Sequence, residues 1–123
     1  MSTVAVDNKQ LIQDYFEAMM SQPKTEELMD RFISDASLKE HIRQAEAAFP
    51  GYDITAHQVV AEGDLVAVRG TVHGVHRGTF AGIPATGRHF TVDLMIFYRI
   101  HDGRIAEHWL QWDVNAVIGQ LTA

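Results

Sequence analysis

The stretch from Phe90 to Trp112 constrains the fold most. Phe90 to Ile100 is a long, almost wholly apolar run rich in β-branched and aromatic residues, so it reads as a strand. His101-Asp102-Gly103 follows as a hairpin signal, and Ile105 to Trp112 reads as the returning strand. A type I turn with Gly103 in the left-handed bulge position sets Ile100 opposite Arg104. Phe90, Val92, Leu94, Ile96 and Tyr98 then share a face with Ala106, His108, Leu110 and Trp112. The opposite face carries Asp93, Met95, Phe97 and Arg99 with Glu107, Trp109 and Gln111. One face is apolar with three polar tips, at Tyr98, His108 and Trp112, and the other is mixed.

The rest of the second half has the same period of two. Ile54 to Ala61 and Leu65 to Val75 read as strands around a Glu62-Gly63-Asp64 turn, and Gly78 to Gly87 reads as a loop. The first half repeats instead every three to four residues. Asp7, with Gln10 as capping-box partner, is expected to start a helix with Leu11, Ile12, Tyr15, Phe16 and Met19 inward, and Pro23 to end it. Thr25 caps a second helix with Leu28, Met29, Phe32 and Ile33 inward. Ser37, with Glu40, caps a third, carrying Leu38, His41, Ile42, Ala45 and Phe49 on its inner face until Pro50-Gly51. A short helical turn through Val117, Ile118 and Leu121 is expected at the end. Helices followed by an antiparallel meander give an α+β class: three N-terminal helices packed on one face of a strongly curved antiparallel sheet. The 123 residues suit one domain, 1–123.

Composition narrows function by exclusion. Ten Lys and Arg against sixteen Asp and Glu give a net charge of −6, and the basic residues are scattered. With no basic stripe to neutralise phosphates, nucleic acid and anionic membrane surfaces are not expected partners. There is no cysteine, which rules out disulfides, zinc–thiolate sites and thiol nucleophiles. No apolar run marks a signal peptide at Met1 to Gln10 or a membrane span, so the expectation is a cytoplasmic protein. All four serines lie in the helical half, away from any nucleophile elbow.

The apolar face of the sheet is either solid core or one wall of a pocket. A strongly curved sheet under three short helices leaves room for a cleft, and apolar walls with a few convergent polar groups suit a small hydrophobic molecule. Expected lining residues are Phe16, His41, His76, Phe90, Val92, Leu94, Ile96, Leu110 and Trp112. Of the seven histidines, His108 is the acid–base candidate, since imidazole titrates near neutral pH; the alternative is a buried histidine satisfied by Tyr98 or by a helix residue. Tyr98 and Tyr15 are the other catalytic candidates, and each is otherwise a core tyrosine. His76 either reaches the pocket mouth or ties down the following loop. His73 and His76, three apart on a strand, point to opposite faces and do not form a metal pair. His57 and His101 are read as solvated. Asp113 ends the last strand and either caps the C-terminal turn or twists inward as a second carboxylate; Asp93 is the other carboxylate to follow. Met95, Phe97 and Trp109 are too much apolar surface to leave in water and predict a homodimer contact.

Several motifs together resemble the SnoaL-like polyketide cyclase family of the nuclear-transport-factor-2-like superfamily. They are Ala61-Glu62-Gly63-Asp64, Gly74-Val75-His76-Arg77-Gly78-Thr79-Phe80, Gly82-Ile83-Pro84-Ala85-Thr86-Gly87-Arg88, Tyr98-Arg99-Ile100-His101-Asp102-Gly103-Arg104-Ile105, Glu107-His108-Trp109 and Gln120-Leu121. The resemblance covers nearly all of the C-terminal half. It implies a cone: helices folded over a curved sheet with a pocket inside. It also implies ring closure by aldol chemistry without metal or cofactor, using an aspartate on the last strand and a histidine on the strand before. Those positions fall on Leu110 and Ile96, which cannot take a proton. Limonene-type epoxide hydrolases of the superfamily place a carboxylate at the position of Leu110 as well. Ketosteroid isomerases of the superfamily use a first-helix tyrosine as oxyanion donor, which points to Tyr15.

Two readings follow. One is a cofactor-independent enzyme, cyclase- or isomerase-like, moving a proton at an enolisable carbon through His108 with Tyr98, Tyr15 or His41. The other is a non-catalytic binder of the same ligand class.

Overall fold

In the computed structural model, residues 3–20 and 22–123 are described. Three helices come first: α1 (Thr3–Met19), α2 (Glu26–Phe32) and α3 (Ala36–Ala48). An antiparallel meander follows, β1 (Asp53–Glu62), β2 (Leu65–Val75), β3 (His89–His101) and β4 (Arg104–Trp112), in spatial order β1-β2-β3-β4. The chain closes with α4 (Val114–Thr122). The architecture is α+β, with the helices over one face of a curved sheet. No helix among the described residues is long and apolar enough to cross a membrane.

The helical period predicts the buried faces well. Ile12, Tyr15, Phe16 and Met19 of α1, Met29 and Phe32 of α2, and Leu38 and Ile42 of α3 are all buried. They meet Val66, Val68, Val72, Phe90, Val92, Leu94, Ile96 and Ile100 of the sheet in one core.

Helix starts are less well predicted. Asp7 is not a cap: α1 begins four residues earlier, at Thr3, and Gln10 Nε2 donates to Asp14 Oδ1 (2.9 Å). Nor is Ser37 the cap of α3. Asp35 takes that role, its Oδ1 accepting from Ser37 N (2.9 Å) and Leu38 N (3.3 Å), and Ser37 Oγ donates to the same oxygen. Both residues are strong caps, and the carboxylate captures two amides at once. Thr25 caps α2 as expected. The C-terminal turn is a full helix, α4, with Val117 and Leu121 buried. Gln120 clamps it to β3, accepting from Thr91 N (2.8 Å) and donating to Thr91 O (3.0 Å).

The last hairpin differs from its predicted register. Asp102 and Gly103 both have left-handed backbones (φ 50° and 71°), so the loop has two residues and pairs Ile100 with Ile105. That pairing alone would turn His108 outward. A bulge at Ala106 adds one residue to β4 and restores the sorting of faces. His108 therefore stands opposite Tyr98, and Leu110 opposite Ile96. Ile105 and His108, three apart, both point toward the helices because of the bulge. A second bulge at His57 bends β1 likewise.

The segment after β2 folds back over the end of α3. Arg77 N and Gly78 N both donate to Ala48 O (3.0 and 3.1 Å). A Cβ at Gly78 would collide with the carbonyl oxygen of Ala47, so only glycine allows this approach. Phe80 then lies against Phe49 and Trp112.

Candidate active site

Between α3 and the curved sheet is a narrow cavity, whose empty space with the open solvent at its mouth included is about 600 Å³. Leu38, His41, Ile42 and Ala45 face it from α3, spaced as one helical stripe. Leu94 and Ile96 of β3 and His108, Leu110 and Trp112 of β4 form the opposite wall. Phe49, Phe90, Tyr15 and Tyr52 complete an aromatic lining.

His108 is held by Asp35. Its Nδ1 lies 2.8 Å from Asp35 Oδ2, and the two side chains are only 13% and 11% exposed. The backbone explains how residues 73 apart in sequence meet. Ile33 bridges to Ile105, and Ser34 N and Asp35 N both donate to the Ile105 carbonyl (2.9 and 3.1 Å). The connection between α2 and α3 is thereby pinned to β4 beside the bulge. Oδ1 of Asp35 starts the helix, and Oδ2 turns to the histidine.

Burial pushes the Asp35 carboxyl up, but the hydrogen bonds from His108, Ser37 and Leu38 and the charge of His108 outweigh it, and the net shift is downward. The group is a carboxylate at neutral pH and acts as acceptor. A carboxylate can only accept, so Nδ1 of His108 donates to it, and in the neutral ring Nε2 is the free acceptor. His41 stands beside it, the ring centroids 6.1 Å apart. Burial lowers the pKa of His41, and the nearby His108 lowers it further. Both effects favour the neutral ring of His41.

Of the residues singled out in the sequence, Tyr15, His41, Phe90, Leu94, Ile96, His108, Leu110 and Trp112 line the cavity. Phe16 and Val92 lie in the core and not on the cavity wall. Tyr98 is sealed in the core, its ring edge-on to Tyr15 and Phe16. Burial drives its phenol well above the ordinary range, and that of Tyr15 as well. His76 is buried in the loop junction, where its Nδ1 meets Thr86 N (3.2 Å) and Thr86 Oγ1 (3.0 Å). Asp113 caps α4 through Ala116 N (2.9 Å), and Asp93 accepts from Thr71 Oγ1 on the outer face. Neither turns toward the cavity.

The carboxylate that reaches His108 was missed in the sequence. Its signal was the Asp35-x-Ser37 pair of equally good caps, read at the wrong member. Tyr52, next to the Pro50-Gly51 helix stop, does line the cavity with a polar tip and was missed as well.

No curated protein matches the chain significantly. Among solved structures it is similar to IdmH from Streptomyces antibioticus, a candidate polyketide cyclase, at 28% identity over 94% of this chain and 99% of that one, with a TM-score of 0.75. It is also similar to TsrD from Streptomyces laurentii (25% identity, 98% and 97% coverage, TM-score 0.77). A SnoaL-like polyketide cyclase from Agrobacterium tumefaciens shares the fold at 17% identity (98% and 99% coverage, TM-score 0.75). The model of the SnoaL-like polyketide cyclase family matches residues 5–121, and the chain belongs to that family.

Proposed function

We propose that the protein is a cofactor-independent enzyme that moves a proton at an enolisable carbon of a hydrophobic, oxygenated small molecule, leading to cyclisation or isomerisation. The observation that carries this reading is the part-buried Asp35–His108 contact of 2.8 Å, whose histidine lines an apolar cavity. A carboxylate behind an imidazole fixes its tautomer and stabilises the imidazolium that forms when it takes a proton. His108 Nε2 removes the proton from carbon, and the C–H electron pair moves toward the adjacent carbonyl oxygen. In a cyclisation the enolate carbon attacks a second carbonyl carbon, and His108 returns its proton to the new alkoxide. Family membership and the likeness to IdmH, a candidate polyketide cyclase, support the same class.

The binder reading rests on Ile96 and Leu110, which face each other on the cavity wall at the two positions where the resemblance expects histidine and aspartate. One assay separates the two. Deuterium uptake from solvent at the acidic carbon of hydrophobic β-diketones is followed by NMR. The enzyme reading expects catalysed exchange that falls roughly 10²-fold or more in His108→Ala. Undiminished exchange in that variant removes the enzyme reading, and saturable binding without exchange by the wild type establishes the binder.

A further inference from the structure

A base that takes a proton from carbon leaves charge on the neighbouring oxygen, and that charge needs a donor fixed before the reaction. Tyr98 is sealed in the core. Tyr15 reaches the cavity, but its ring is boxed in by Phe16, Phe32 and Tyr98. His41 is different. It is half-buried on the cavity stripe of α3, with its ring 6.1 Å from that of His108, and makes no hydrogen bond to any other described residue. A partially desolvated imidazole without a protein partner keeps its hydrogen-bonding capacity for whatever occupies the cavity.

We infer that His41 is a catalytic residue of this site, an N–H donor that holds the enolate oxygen while His108 holds the proton taken from carbon. The inference rests on the proton-transfer reading above. The two imidazoles divide the work by their surroundings: His108 has a carboxylate behind it and accepts, whereas His41 has none and donates. Their separation lets a carbonyl oxygen and its neighbouring carbon touch one ring each. The step balances without His41 giving up its proton. The C–H bond breaks, its pair forms the C=C bond, the carbonyl pair moves to oxygen, and that oxygen accepts the His41 hydrogen bond.

The test uses 2-naphthol, a flat aromatic alcohol whose oxygen imitates an enolate. Its binding and ionisation are read by fluorescence, in parallel with the exchange assay. Wild type is expected to bind it and to favour the bound naphtholate. His41→Phe, which keeps the shape and loses the donor, should bind about tenfold or more weakly and shift the bound probe toward neutral naphthol. His41→Gln, which keeps an N–H, should remain within about threefold of wild type and controls for folding. Wild-type affinity and spectrum in His41→Phe overturn the assignment, as does absence of naphthol binding by the wild type. The exchange rate of His108→Ala judges the parent reading separately.

Discussion

Asp35 has two oxygens with two tasks. Oδ1 satisfies the first amides of α3, and Oδ2 orients His108. Asp35→Asn separates the tasks, because asparagine caps a helix as well as aspartate but carries no charge. Deuterium exchange should fall at least about tenfold, while far-UV circular dichroism at pH 7 stays unchanged. The same variant has a pH signature. The folded carboxyl titrates below its unfolded value, so its contribution to stability is complete above the ordinary carboxylate range. It is lost as pH falls through the lowered folded value. Thermal melts from about pH 5 to pH 2 should therefore fall more steeply for wild type than for Asp35→Asn; parallel curves would contradict the charged contact. His41 adds a separate loss that begins near the ordinary histidine value, because burial disfavours its protonated form in the fold. In the sequence, His108 was legible as a candidate because alternation placed it on the apolar face. Its partner was not legible, since Ser37 and Asp35 are equal as caps, and nothing local says that Oδ2 will meet a strand so far along the chain.

At the scale of elements, the last hairpin repays attention. Alternation sorted the faces of β3 and β4 correctly even though the predicted turn was wrong. The two-residue turn and the Ala106 bulge are two odd steps that cancel in facing but shift the pairing by two residues. Pairing register is therefore less legible than facing, because an inserted residue leaves the same pattern of apolar letters. Deleting Ala106 tests this. Without the extra residue, His108, Leu110 and Trp112 would turn to the outer face and Trp109 inward. The deletion should lower the melting temperature sharply or leave the chain unfolded, whereas Ala106→Gly should cost only about 1 kcal/mol. A deletion variant that melts like wild type would contradict the bulge. The helix starts show the same limit from another side: the stripes of α1 and α3 were readable, and their first residues were not.

At the scale of the molecule, the helices cover one sheet face and leave the other open. Met95, Phe97 and Trp109 are 60%, 49% and 48% exposed there, and Phe97 and Trp109 are direct cross-strand partners. Arg99 stands over the Trp109 ring, and with Asp64 and Glu107 it gives the patch a charged rim. We propose that a second copy of the chain covers this face in a two-fold contact. Sedimentation should find a dimer for wild type and a monomer for Met95→Glu/Trp109→Glu with unchanged helix content; a wild type that stays monomeric at high concentration would rule the contact out. The cavity has one further consequence for anyone wishing to redesign this scaffold. Ile96 and Leu110 shape the wall from the sheet, whereas the carboxylate behind His108 arrives from the connection between α2 and α3. The wall residues and the carboxylate behind His108 thus come from separate pieces of chain, so the mould can be recut at positions 96 and 110 without touching Asp35, whereas His108 itself shares β4 with Leu110.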